Sequence, residues 1–488
     1  VNNPICMPSR MSIFTGLYPH NHNQWTNGNQ LEHPLRTIAD HLHDNGYHTG
    51  SIGKLHFQCT DCGKNAPHIS MEDHRLWEEK GDNIDWYGPY WGFEHVEFTS
   101  GHATKPLAHY GKWYHEHGGK DEWAIAKPVE GFDACPVTTM PESLHDSMFV
   151  GERAAAYITE HANDEQPFFL TASFPDPHHP FNPPLETALR YRDAPVKMPV
   201  NEDDDLHTRP RHYHYHQYGV WHRAGLLHPL PDMPEEDKEK CGKCADQIAQ
   251  FMDEKILQGL GLLTHGDSSG KEYKPSVLSA HERDQRIRNT YAMVDLIDKG
   301  VGKILDALKE TGALVDTVIL FTADHGELMG DHGLWLKGPF FYDGLVNVPL
   351  MMHAPENNAS VTEALASSVD IYPTCCELLG VPTPRSCDGM SQAPALRGEK
   401  VRKECLFEYR NGYFENDVYN LGYVDEKYKF IQYQNGDVEM TDRINDPEEN
   451  VNIVYNGANP ELLAEYRNKM LNMVLNTASK FPEQYCHA

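Results

Sequence analysis

Leu35, Ile38, Ala39 and Leu42 fall on one helical face and lead into the apolar run 47–53, which reads as a short strand. The same helix-then-strand alternation returns twice. Residues 152–161 read as a helix ahead of a strand at 168–174. Ile287, Tyr291, Val294, Ile297, Val301, Ile304 and Leu308 mark a long amphipathic helix that stops at Gly312, before a strand at 318–322. Continuous apolar strands are those covered by helices on both faces. The pattern predicts an α/β fold, a doubly wound, mostly parallel sheet flanked by helices.

After about residue 396 the texture changes. Short strands at 406–409, 421–425 and 428–433 precede Asn459-Pro460, which opens a terminal amphipathic helix. This predicts a catalytic domain over 1–395 and a smaller C-terminal α+β subdomain over 396–488 containing an antiparallel sheet. Two insertions, about 58–135 and 185–280, break the rhythm. The first carries Trp77, Trp86, Tyr87, Tyr90 and Trp91, and the second His212, Tyr213, His214, Tyr215, His216, Trp221 and His222. Such side chains either stack on sugar rings or pack a long insertion.

Composition narrows the partners. A formal net charge of −30 over 488 residues repels nucleic acid and anionic membrane surfaces. No apolar run approaches the length of a membrane span. An anionic ligand therefore needs a local cluster of Arg, Lys and His. Eleven cysteines include Cys59-x-x-Cys62 and Cys241-x-x-Cys244, the spacing of a four-thiolate structural zinc site, although disulfides and plain thiols fit the same spacing.

Reactive residue types gather just past the predicted strands, where open α/β sheets bind ligands. At the start of the chain, Cys6-Met7-Pro8-Ser9-Arg10 precedes Gly16. Pro8 and Ser9 suit the first turn of a helix and Gly16 its end, so Cys6 stands at a helix N-terminus, a position that favours an anion. Gly53-Lys54-Leu55-His56 follows one strand, and Asp176-Pro177-His178-His179-Pro180-Phe181 follows another. Thr322-Ala323-Asp324-His325-Gly326-Glu327 offers an oxygen and a nitrogen ligand at a strand end. Gly330-Asp331-His332-Gly333-Leu334-Trp335-Leu336-Lys337-Gly338 adds a second lysine.

These five motifs, in this order, resemble the type I sulfatases of the alkaline phosphatase superfamily. The resemblance spans most of the chain, reaching residues 369–374 and 445–450, but not the two insertions. It implies that a formylglycine-generating maturation enzyme oxidises Cys6 to formylglycine, whose hydrate attacks the sulfur of a sulfate ester. It assigns Lys54 and Lys337 to the sulfate, His56 to the diol, and His178 to the bridging oxygen, with His179 adjacent enough to exchange roles. Arg10 is assigned either to the sulfate or to a metal-side hydroxyl. Asp324, His325 and the converted Cys6 would hold a divalent metal, calcium by family habit, although calcium prefers oxygen ligands.

One departure matters. The family's Asp-Asp metal pair lies upstream of the signature, whereas this chain opens on Val1. It reads as a fragment lacking an N-terminal strand, expected to bind metal weakly and turn over poorly. The expected substrate is a sulfated small molecule or glycan, with the aromatic, histidine-rich insertions favouring carbohydrate. Rival readings are a phosphonate monoester or phosphodiester hydrolase on the same scaffold and a non-catalytic glycan-binding relative. Family habit implies a periplasmic or secreted protein, while the odd cysteine count and the two C-x-x-C pairs leave the cytoplasm open.

Overall fold

The computed structural model describes residues 1–29, 31, 35–62, 69–101, 104–204, 206, 208–210, 213, 279–355, 359–411 and 418–478. The chain begins with helix α1 (Cys6–Thr15), closed by Gly16 in the left-handed conformation at φ 67°. Helix α2 (Ile38–Asp44) starts with a capping box in which Thr37 and Asp40 satisfy each other's backbone amides. Strand β1 (His48–Gly53) follows and lies between β2 (His95–Phe98) and β5 (Phe168–Ser173) in a parallel sheet. A hairpin of β3 (Lys127–Val129) and β4 (Phe132–Val137) separates β2 from helix α3 (Asp146–His161).

Helix α4 (Ala280–Glu310) packs along α3. Their crossing is close because a Cβ on Gly151 would lie 2.7 Å from the Gly300 backbone. Strand β6 (Ile319–Thr322) pairs antiparallel with β7 (Leu350–His353). The C-terminal part forms an antiparallel sheet of β8 (Glu404–Asn411), β9 (Val418–Asp425), β10 (Tyr428–Tyr433) and β11 (Val438–Asp442), ordered β11-β10-β9-β8. Helix α5 (Pro460–Thr477) packs on it through Tyr466, Met470 and Met473. The chain's first residues fasten α1 to this sheet. The Glu408 amide donates to the Asn2 carbonyl at 2.8 Å, and Asn3 Nδ2 donates to the Glu408 carbonyl at 2.6 Å.

The α/β fold with a C-terminal antiparallel sheet agrees with the pattern, and three details do not. First, the segment 58–135 is not simply an appendage, since it supplies the edge strand β2. Second, its aromatic residues pack inward. Trp77 is fully buried among Trp86, Phe98 and His109, Trp91 is buried against Phe57, and Tyr90 packs on Phe98 while its hydroxyl donates to Glu72 at 2.9 Å. Core packing absorbs the apolar area of Trp77 and Trp91, whereas Trp86, Tyr87 and Tyr90 are half-buried. Third, burial on both faces holds for β1, whereas β5 and β6 are only half-buried. Among the described residues, β5 and β6 each have a ladder partner on one side only. In the second insertion, Tyr213 is buried against Phe340 and Tyr342, whereas His212, His214, Tyr215, His216, Trp221 and His222 lie outside the described residues.

Candidate active site

Cys6 is the first residue of α1, preceded by Ile5 in an extended conformation. Its buried sulfur lies 2.9 Å from Lys337 Nζ, 3.1 Å from His325 Nε2 and 3.8 Å from Lys54 Nζ. Lys337 Nζ also donates to His178 Nε2 at 2.8 Å and lies 3.1 Å from His325 Nε2. Four loops that are remote in sequence therefore converge on one sulfur atom. The convergence follows from the strand ends. β1 finishes at Gly53, whose φ of 102° turns the chain so that the Lys54 amide donates to the Ser173 carbonyl at 2.9 Å. A Cβ on Gly53 would sit 2.0 Å from that carbonyl oxygen, so only glycine permits the approach.

Arg10 ties the ends together. Its Nε donates to Asp324 Oδ2 at 2.7 Å, and Nη1 donates to the Lys54 carbonyl at 2.7 Å and to Ser173 Oγ at 2.9 Å. One guanidinium thus joins the chain after β1, the end of β5 and the chain after β6. The sequence assigned Arg10 to the sulfate or a metal-side hydroxyl, whereas here it organises the protein beneath the site. The two histidines of the β5 loop are also distinguished. His178 Nδ1 donates to the His179 carbonyl at 2.6 Å and turns Nε2 toward Lys337, while His179 Nδ1 is buried without a hydrogen-bond partner.

The electrostatics favour negative charge at position 6. Burial pushes the Cys6 thiol up, but the charges of Lys337, Lys54 and His325 outweigh burial and hold it well below its ordinary value. Burial lowers Lys54, opposed by Cys6. Burial also brings His56 down to about 4, which keeps it neutral near pH 7, where it hydrogen-bonds Cys6. Asp324 is held far below the usual carboxylate range because the Arg10 and His325 charges overcome its desolvation.

The sulfatase profile matches residues 1–381, and a profile for the C-terminal part of N-sulphoglucosamine sulphohydrolase matches residues 330–476. The chain belongs to the sulfatase family. It is similar to the uncharacterized sulfatase YidJ of Escherichia coli K12, at 23% identity over 99% of this chain and 79% of that protein. Among solved structures it is similar to BT4656 in complex with its substrate D-glucosamine-2-N,6-O-disulfate. That match has a TM-score of 0.66 and 20% identity, over 98% of this chain and 88% of the other. A phosphonate monoester hydrolase of Agrobacterium radiobacter matches with a TM-score of 0.69 and 21% identity, over 98% and 90%. At these identities the structural likenesses establish the fold, that of the alkaline phosphatase superfamily.

In this sulfatase the three residues assigned to a metal do meet, since ligand atoms of Cys6, Asp324 and His325 lie within 4.8 Å of one another. Two of the three also have other partners. Asp324 Oδ2 is engaged by Arg10 and Oδ1 accepts the His325 amide at 3.1 Å, while His325 Nε2 faces the Lys337 ammonium. The described ligands offer one carboxylate and one imidazole beside Cys6, which is part of the roughly six to eight ligands that calcium takes. Of the two C-x-x-C pairs, Cys59 and Cys62 are described: burial raises both thiols, Cys62 to about 12, and Cys62 Sγ donates to the Cys59 carbonyl at 3.6 Å. Cys241 and Cys244 lie outside the described residues.

Sequence reasoning missed two supports of the sulfatase site. Glu72, inside the first insertion, accepts the backbone amides of His56, Phe57 and Gln58, the latter two at 2.8 and 3.1 Å, and so holds His56 at a φ of 55°. Behind the His178 loop, buried His145 lies between Asp146 at 3.1 Å and Asp176 at 3.5 Å. Asp176 was visible in the sequence beside His178, but nothing there showed that His145 would meet it.

Proposed function

We propose that this sulfatase hydrolyses a sulfate ester on a carbohydrate, with formylglycine at position 6 providing the nucleophilic oxygen. The observation that carries the proposal is the cationic enclosure of Cys6, with Lys337, His325 and Lys54 at 2.9, 3.1 and 3.8 Å. The sulfur stands in for a hydroxyl oxygen of the hydrated aldehyde. The residues present suit that group, because a buried oxyanion at a helix N-terminus meets two ammoniums and two imidazoles. Bound there, the hydrate supplies two hydroxyls on one carbon, one to attack sulfur and one to release the sulfate afterwards.

The chain's own side chains supply the rest. Lys54 and Lys337 stabilise negative charge on the sulfuryl oxygens. Lys337 and His178, sharing a hydrogen bond, hold the proton required by the departing alcohol. His56, neutral because it is buried, accepts the proton of the remaining hydroxyl. Arg10 keeps Asp324, Lys54 and Ser173 in register.

A carbohydrate substrate is supported by the N-sulphoglucosamine sulphohydrolase profile over residues 330–476 and by the likeness to a sulfatase that binds a disulfated glucosamine. The test uses protein co-produced with a formylglycine-generating enzyme. Mass spectrometry of the Cys6 peptide is combined with parallel assays of glucosamine 6-sulfate, an aryl sulfate and an aryl phosphonate. Aldehyde at position 6 and faster release of sulfate are expected. An intact thiol would overturn the formylglycine mechanism, and a preference for the phosphonate would overturn the sulfate-ester reading in favour of a phosphonate hydrolase.

A further inference from the structure

We infer that His48, His161 and Asp164 form a binding site for a zinc-like divalent ion at the amino-terminal edge of the parallel sheet. His48 opens β1, His161 closes α3, and Asp164 lies in the turn that leads into β5. Three elements that are rigidly packed together thus bring two imidazoles and one carboxylate to the same point. His161 Nδ1 lies 2.8 Å from Asp164 Oδ2, and His48 Nε2 lies 3.7 Å from the same oxygen. The two imidazole rings are 4.9 Å apart, and the ligand atoms all fall within 4.8 Å of one another. Ligands at about 2.1 Å from a tetrahedral ion stand about 3.4 Å apart, so small side-chain adjustments suffice to enclose one.

Two further features point to a cation. The group sits at the C-terminal end of α3, the negative end of a helix of 16 residues. A second carboxylate also stands behind the first imidazole. Glu94 Oε2 lies 3.7 Å from His48 Nδ1 and 3.5 Å from His43 Nδ1, and it is anchored by the Thr49 amide at 3.1 Å. A carboxylate facing the far nitrogen has the placement of the outer-shell partner of histidine-ligated zinc, although at 3.7 Å it makes no direct hydrogen bond. Imidazole donors select zinc, cobalt or nickel over calcium and magnesium. The three side chains keep 31%, 19% and 42% of their surface accessible, so an ion can enter and water can complete its coordination.

This site is separate from the one around Cys6. His48 stands five residues before Gly53, so the length of β1 places it about 17 Å from the catalytic end of the strand. An ion there would pin the starts of β1 and β5 to the end of α3, bracing the frame from which Lys54 and His178 project. The competing account is a set of solvated ion pairs between protonated histidines and Asp164 or Glu94.

Cobalt distinguishes the two. Chelator-stripped protein in a Cys6→Ser background, which removes the active-site thiol, is titrated with Co2+ alongside His161→Gln, Asp164→Asn and His48→Gln derivatives. The parent should bind one equivalent more than each derivative. It should show the visible absorption of four- or five-coordinate cobalt and lose that absorption when Zn2+ is added. Glu94→Gln should retain the site with affinity about 10-fold weaker. Equal stoichiometry and identical spectra in the parent and the three derivatives would overturn the inference. Because His161 is at a helix end and Asp164 in a turn, those two derivatives read the result even if His48→Gln fails to fold.

Discussion

Replacing Lys337 with alanine tests whether the site is built to hold negative charge at position 6. In protein produced without the maturation enzyme, Cys6 itself is the reporter. Lys337 Nζ lies 2.9 Å from its sulfur. At an effective dielectric of about 20, unit charges that far apart attract by about 6 kcal/mol. Lys54, at 3.8 Å, contributes about 4 kcal/mol on the same basis. Burial opposes both. Without Lys337, Lys54 and His325 still act on the sulfur while desolvation is unchanged, so the thiol should rise toward its ordinary value.

The assay is the ultraviolet absorbance of the thiolate as a function of pH, taken as the difference from a Cys6→Ser control. Wild-type protein should show a thiolate well below the ordinary titration range of cysteine, and Lys337→Ala should move the midpoint upward. Lys337→Arg should restore most of the shift, since it keeps the charge. In matured enzyme the alanine variant should lose about 10²–10³ in kcat, the effect of removing one preorganised oxyanion donor. A midpoint near that of free cysteine in the wild type would refute the electrostatic reading. So would an alanine variant whose midpoint moves by less than about half a unit, well short of the shift expected from a nearby opposite charge.

Three further outcomes are expected. Arg10→Lys keeps the charge but loses the fork joining Lys54, Ser173 and Asp324, so kcat should fall by about 10²-fold through misplacement, with a smaller change in KM; unchanged kcat would remove the organising role. Gly53→Ala places a Cβ against the Ser173 carbonyl at a positive φ and should cost about 2–4 kcal/mol in urea unfolding, whereas wild-type stability would show that the turn relaxes freely. Burial raises Glu97, but hydrogen bonds from His95 at 2.9 Å and Arg153 at 2.7 Å outweigh it and bring the carboxyl down to about 2. Its folded pKa is depressed, so its contribution of about 3 kcal/mol is present above about pH 4.5 and lost as pH falls toward 2. The stability gap between wild type and Glu97→Gln should therefore narrow on acidification from pH 5; a constant gap would contradict this.

Strand ends were the legible part of the sequence. The motifs around Lys54, His178 and Asp324 each follow an apolar run bounded by turn residues, and the runs became β1, β5 and β6 within a residue or two. Helix α1 was legible because Pro8, Ser9 and Gly16 each suit one position of a helix. Strand β2 was not. Its four residues, His-Val-Glu-Phe, are too short to show a period, and Glu97 looks solvated until Arg153 and His95 are seen to neutralise it. The insertion aromatics were ambiguous for a different reason. A tryptophan in a loop has the same composition whether it faces a sugar or Phe98, and only the tertiary contacts decide. Charge likewise identified Arg10 without identifying its partner, and adjacency could not rank His178 above His179 until one nitrogen was found on Lys337.

That a chain with a net charge of −30 encloses an anion follows from range rather than from sum. At physiological ionic strength, charges farther than about 8 Å through solvent are largely screened. Surface carboxylates therefore contribute little at position 6, while buried Lys54 and Lys337 act at 3.8 and 2.9 Å with little water between. Of the nearby carboxyls, Asp324 is paired with Arg10, and burial raises Glu327 to about 7. Arg10 thereby has an electrostatic effect as well as a geometric one. By pairing with Asp324 it leaves both lysines unopposed at the sulfur, the condition under which a buried group at position 6 is stabilised in its ionised form.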